Sequence, residues 1–141
     1  MTRGESRFLR AMHGAVAITG LLWAWMLWGL SPADPYAVVN HPWQPSVHAA
    51  HVLAAPALVL AIGLIWRNHA WARIRSHFRP RRRSGVTLAI LFLPMAASGY
   101  LLQTAVSERL RTLWLALHLA SSALWLAAWI VHRWPRRVTS A

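Results

Sequence analysis

Four long apolar runs, parted by short polar or basic segments, organise this chain. Residues 11–30 contain no arginine and no acid, and residues 46–66, 84–106 and 112–132 repeat the pattern. Each run reaches the roughly 20 residues that a helix needs to cross the hydrocarbon of a bilayer. A backbone in lipid must satisfy its own hydrogen bonds, so runs this continuous are helices. The pattern predicts an all-α fold: an integral membrane four-helix bundle forming one transmembrane domain over 1–141, with helices at about 8–30, 46–68, 84–106 and 109–133. Pro56 and Pro94 fall inside the second and third spans and predict kinks there, not ends. The first run exceeds the about 7–15 residues of a secretory h-region, so it reads as an anchor.

Charge gives these spans a direction. All fifteen basic residues are arginine, against three acids (Glu5, Asp34, Glu108), for a net charge of +12. In a soluble chain that balance would point to nucleic acid. Here the arginines flank apolar spans, and thirteen of them lie on one side. Arg3, Arg7 and Arg10 precede the first span. Arg67, Arg73, Arg75, Arg79, Arg81, Arg82 and Arg83 separate the second from the third, and Arg133, Arg136 and Arg137 follow the fourth. Only Arg109 and Arg111 oppose them. The positive-inside rule therefore predicts cytoplasmic termini and an outward-facing connection at 31–45, which carries Asp34, Pro32, Pro35, Pro42 and Pro45. Segment 67–83 reads as a short interfacial helix or a docking surface. Trp28, Trp43, Trp66 and Trp134 sit near span ends, as an interfacial belt would. No long internal repeat is evident.

The candidate chemistry lies in the histidines, since ionisable groups within spans are costly and mark function. Of eight, His41 falls in the outer connection and His77 in the basic one, both in solvated positions. His118 and His132 lie fourteen residues apart on the fourth span. On a helix this is a rise of about 21 Å and about 40° short of whole turns, so both imidazoles share a face near opposite membrane surfaces. Ser121 and Ser122 lie one turn beyond His118. His51, early in the second span, matches the depth of His118 near the outer side. His13, early in the first, matches His132 near the cytoplasmic side. His48, three residues from His51, is an alternative outer ligand. His69, eighteen residues or five whole turns from His51, is an alternative inner one. The third span has no histidine and reads as a packing helix, with Gly99 and the small residues Ala96, Ala97 and Ser98 permitting close approach. Gly14, Gly20 and Gly63 either clear room for a flat macrocycle or only pack helices.

Two depth-matched pairs suit two bis-histidine haems stacked along a bundle. The outer haem iron would be held by His51 and His118, the inner one by His13 and His132. A zinc, copper or nickel site would gather its ligands at one point, often with carboxylates, and the spans contain none. The absence of cysteine excludes disulfides, thiolate metal sites, iron–sulfur ligation and covalent haem attachment. Arg10, Arg67 and Arg73 have the charge to pair with inner haem propionates.

In Arg10-Ala-Met-His13, His51-Val-Leu-Ala-Ala, Phe92-Leu-Pro94-Met, and His118 with His132, the chain resembles the bacterial four-helix di-haem cytochrome b561 family over roughly residues 6–134. That family is related to the cytochrome b (gamma) subunits of formate dehydrogenase and nickel–iron hydrogenase. The resemblance implies two haem b groups, with one ligand each from helices one and two and two from helix four. It implies a multi-pass protein of the bacterial cytoplasmic (inner) membrane, transferring electrons in a respiratory chain between a quinone and a redox partner such as a dehydrogenase or cytochrome. Such a chain is an electron-transfer subunit more than an enzyme alone. Two alternatives stay open: a stand-alone superoxide or quinone oxidoreductase of the same fold, and a haem-free membrane scaffold or small transporter subunit.

Overall fold

The computed structural model describes residues 1–32, 34–76 and 82–134. His77, Arg79, Arg81, Arg136 and Arg137, all named above, lie outside the described residues. The described elements are helical: α1 (Arg3–Trp28), α2 (Gln44–Ile65), a π-helical segment (Trp66–Trp71), α3 (Ala72–Arg75), α4 (Arg82–Thr104) and α5 (Glu108–Arg133). Four helical stretches are long and apolar enough to cross a membrane: Arg3–Trp28, Gln44–Arg75, Arg82–Thr104 and Glu108–Arg133. The chain divides into two compact units, Met1–His69 and Ala70–Ala141.

In the first unit α1 packs against α2. Helix α1 starts five residues before the expected position, because Thr2 and Glu5 form a capping box. The Glu5 amide donates to Thr2 Oγ1 at 3.2 Å, and the Thr2 amide donates to Glu5 Oε2 at 2.7 Å. At the other end Asn40 closes the helix. Its Nδ2 donates to the carbonyls of Met26 (3.2 Å) and Leu27 (3.0 Å), two of the last-turn acceptors a helix leaves open. The Asn40 backbone amide in turn donates to Gln44 Oε1 at 3.1 Å, so one residue ties the end of α1 to the start of α2.

The second span does not stop where its apolar run stops. The π-helical segment and α3 carry it on to Arg75, a stretch of 32 residues. Arginines mark the hydrocarbon edge but do not break a helix, since Arg is among the better helix formers. Segment 67–83, expected as a short interfacial helix or a docking surface, is thus helical as far as Arg75 and continuous with α2.

In the second unit α4 packs against α5. Helix α5 is capped by Ser107, whose side chain accepts from the Leu110 amide at 3.3 Å. Trp125 of α5 is buried and its Nε1 donates to the Leu88 carbonyl of α4 at 3.1 Å. Both Pro56 and Pro94 lie inside helices that continue past them.

Few apolar side chains are buried, among them Met26, Leu58, Ile65, Met95 and Trp125, and many large ones face outward. Ile18, Leu21, Leu53, Leu60, Ile90, Leu93, Leu113 and Leu124 are exposed, while His13, Ser98 and Ser121 are buried. Exposed apolar surface on this scale marks a contact with lipid or a partner. Small and hydroxyl-bearing residues between helices are what membrane helix packing uses. The distribution fits a multi-pass membrane protein.

Candidate functional site

Three of the four histidines singled out from the sequence are held in the same way. His51, on α2, places Nδ1 at 3.1 Å from the Val16 carbonyl and at 3.1 Å from Thr19 Oγ1, both on α1. His118, on α5, places Nδ1 at 3.0 Å from the Met95 carbonyl and at 3.5 Å from Ser98 Oγ, both on α4. His132, also on α5, places Nδ1 at 3.0 Å from Ser84 Oγ on α4.

A carbonyl oxygen can only accept. Nδ1 of His51 and of His118 therefore carries the hydrogen, and in the neutral ring the lone pair lies on Nε2. This arrangement, with one ring nitrogen donating to a carbonyl and the other presented as a base, fixes the orientation of metal-ligating histidines and raises their basicity. The hydroxyls are oriented too. Thr19 Oγ1 donates to the Ala15 carbonyl at 2.6 Å, and Ser98 Oγ donates to the Pro94 carbonyl at 2.5 Å. Each spends its proton along its own helix, which leaves its oxygen as an acceptor facing the imidazole.

Each of these rings also lies on a glycine that follows the hydroxyl residue directly. A Cβ on Gly20 would come within 2.8 Å of His51 Cε1, on Gly99 within 3.1 Å of His118 Cε1, and on Gly85 within 3.4 Å of His132 Cε1. Thr19-Gly20, Ser84-Gly85 and Ser98-Gly99 are thus three copies of one cradle: a hydroxyl for Nδ1 and a bare Cα for the ring. The first span supplies one and the third supplies two, so the third span, read as a packing helix, is the one that orients both histidines of the fourth. The signal was in the sequence. Ser84 and Ser98 are fourteen residues apart, the spacing of His118 and His132.

Gly20 therefore seats an imidazole, while a Cβ at Gly14 or Gly63 would meet nothing within 4 Å. Ser121 is buried, and its hydroxyl donates to the Leu117 carbonyl at 2.6 Å and to the His118 carbonyl at 3.2 Å. His13 lies on α1 and is 2% exposed.

The alternatives differ in setting. His48 stacks on Trp23, ring centroids 4.1 Å apart and planes 21° from parallel, while His51 meets the same indole at 6.2 Å. His69 falls in the π-helical turn Trp66–Trp71. Such a turn bonds i to i+5 and shifts the helical phase. The count of five whole turns from His51 assumed uninterrupted α geometry and does not carry across it. His41 lies in the outer connection, where its Nδ1 accepts from the Trp43 amide at 3.1 Å. Among the described residues no three His, Asp or Glu side chains gather as a bare metal ion would need.

The chain matches no family model, no curated protein and no solved structure.

Proposed function

We propose that this chain is a di-haem b-type membrane cytochrome that transfers electrons between a quinone pool and a redox partner protein. His51 and His118 would ligate one haem iron, and His13 and His132 the other, a pairing taken from depth along the spans. The observation that carries the reading is the repeated cradle. His51, His118 and His132 each have Nδ1 engaged by a carbonyl or hydroxyl and the ring laid on a glycine, the support a ligating Nε2 requires. The donor set fits as well: imidazoles in apolar spans, with no cysteine for covalent attachment. A haem held by two histidines supplies a one-electron carrier with no open coordination position. The protein's own part is to fix each imidazole's tautomer and plane, and to keep water from the rings by packing them between helices.

The detergent-purified protein from haem-replete cells is expected to carry about two low-spin haems per chain, removable by acid–acetone because no thioether can form. Pyridine haemochrome analysis measures this, and a colourless preparation would sink the reading.

The same proposal places the chain in the bacterial cytoplasmic membrane with both termini on the cytoplasmic side, supported by the split of thirteen arginines to two. Reporters fused after Ala141 and inserted in the 31–45 connection should give opposite signals. Equal signals would contradict it.

A further inference from the structure

Resting on that reading, we propose that two hydroxyls set the reduction potentials of the two haems separately: Thr19 for the haem ligated by His51, and Ser84 for the haem ligated by His132. In the ligating form Nδ1 keeps its hydrogen, so each hydroxyl oxygen must accept from it. The stronger that acceptor, the more imidazolate character reaches Nε2. A more basic ligand stabilises the ferric state, and the potential falls.

The three cradles are not equal in this respect. Thr19 Oγ1 lies 3.1 Å from its imidazole, level with the Val16 carbonyl. It also gives its own proton to the Ala15 carbonyl at 2.6 Å, which polarises the oxygen as an acceptor; Ser98 does the same to the Pro94 carbonyl at 2.5 Å, so distance to the imidazole is what separates the two. Ser84 Oγ lies 3.0 Å from His132 Nδ1. Ser98 Oγ is at 3.5 Å, while the Met95 carbonyl holds the same nitrogen at 3.0 Å. Hydrogen-bond strength falls steeply over that interval. Ser98 is therefore an internal control: the same motif with its hydroxyl 3.5 Å from the imidazole, where Thr19 stands at 3.1 Å. Thr19 and Ser84 act through the histidines and are positioning residues.

The test is a spectroelectrochemical titration of the purified, haem-loaded protein and its variants. Thr19→Val removes the hydroxyl at constant shape. It is expected to raise one transition by up to a tenfold change in the one-electron equilibrium, about 59 mV, and to leave the other in place. Thr19→Ser, which keeps the hydroxyl, should restore it. Ser84→Ala should raise the other transition alone, and Ser84→Thr should not. Ser98→Ala should move neither by more than about a twofold change in that equilibrium. The inference is overturned if Thr19→Val and Ser84→Ala leave both potentials unmoved, if either shifts both together, or if Thr19→Ser behaves as Thr19→Val. Should Thr19→Val lose a haem, retention of both in Thr19→Ser supports the hydroxyl's role, and loss in both variants refutes it. A wild-type protein without haem overturns the cytochrome reading itself, and this inference with it.

Discussion

His13→Ala is expected to halve the haem content, whereas His69→Ala should leave it full. The di-haem proposal calls for a partner to His132, and depth along the spans separates the two candidates. If His51 and His118 share a level, His132 lies about 21 Å inward of it, counting 1.5 Å per residue, and His69, eighteen residues along from His51, lies deeper. His69 also lies beyond Arg67, in the π-helical turn, whose wider bonding shifts its phase away from the face of His51. His13 is buried in the body of α1. Helix tilt of about 20° would close part of the gap in depth, which is why the comparison needs both variants. Haem is counted per chain after purification, with the optical spectrum confirming that the remaining haem is six-coordinate. If the content halves in His69→Ala and stays full in His13→Ala, His69 must replace His13.

Glycine substitutions in the cradles should produce a graded loss, worst at Gly20. An alanine methyl there would sit 2.8 Å from His51 Cε1, closer than carbon atoms pack. The ring can yield only by leaving the Val16 carbonyl and Thr19 hydroxyl that hold Nδ1. Overpacking of this kind costs about 1–3 kcal/mol, and here it also misdirects a ligand. Gly20→Ala is expected to lose the haem proposed for His51 or to loosen it to a high-spin form. Gly99→Ala, at 3.1 Å, should weaken the corresponding haem less, and Gly85→Ala, at 3.4 Å, should be tolerated. The order is measurable as haem retained per chain and as the shift in thermal unfolding. A Gly85→Ala more damaging than Gly20→Ala would show that the ring contacts do not govern ligation.

The spans and the histidines were legible because hydrocarbon imposes a simple rule: twenty apolar residues, and few ionisable ones without a purpose. Three features were not read. The early start of α1 was written in Thr2 and Glu5, at capping-box spacing, but it lies outside the apolar run. The extension of the second span to Arg75 was hidden because an apolar window ends at the first arginines, although helical hydrogen bonding does not. The Ser/Thr-Gly cradles carry no metal-binding group of their own and so give no signal within their own segments. Thr19, Ser84 and Ser98 face histidines on neighbouring helices, and a hydroxyl next to a glycine is common enough to pass unnoticed. Only the contact distances separate Gly20, which seats a ring, from Gly14 and Gly63, which do not. The pairing of Nδ1 with particular carbonyls depends on which helix face meets which, and no periodicity in one chain segment contains that.

The two cradles on α4 also settle how that helix and α5 slide against each other. Lipid tails are as apolar as leucine, so burial alone offers little preference among sliding positions. The Met95 carbonyl, beside Ser98, holds His118 and Ser84 holds His132; Ser84 to Ser98 and His118 to His132 are equal steps of fourteen residues taken in opposite chain directions. A displacement by one helical turn would break both contacts at once and gain neither back. Interhelical hydrogen bonds in membranes average only about 0.6 kcal/mol each. Two of them about 21 Å apart nevertheless act as pins at the ends of a bar. One pin would stop translation and still permit the helices to pivot; the second removes the pivot, so the hairpin's register and crossing angle are set together.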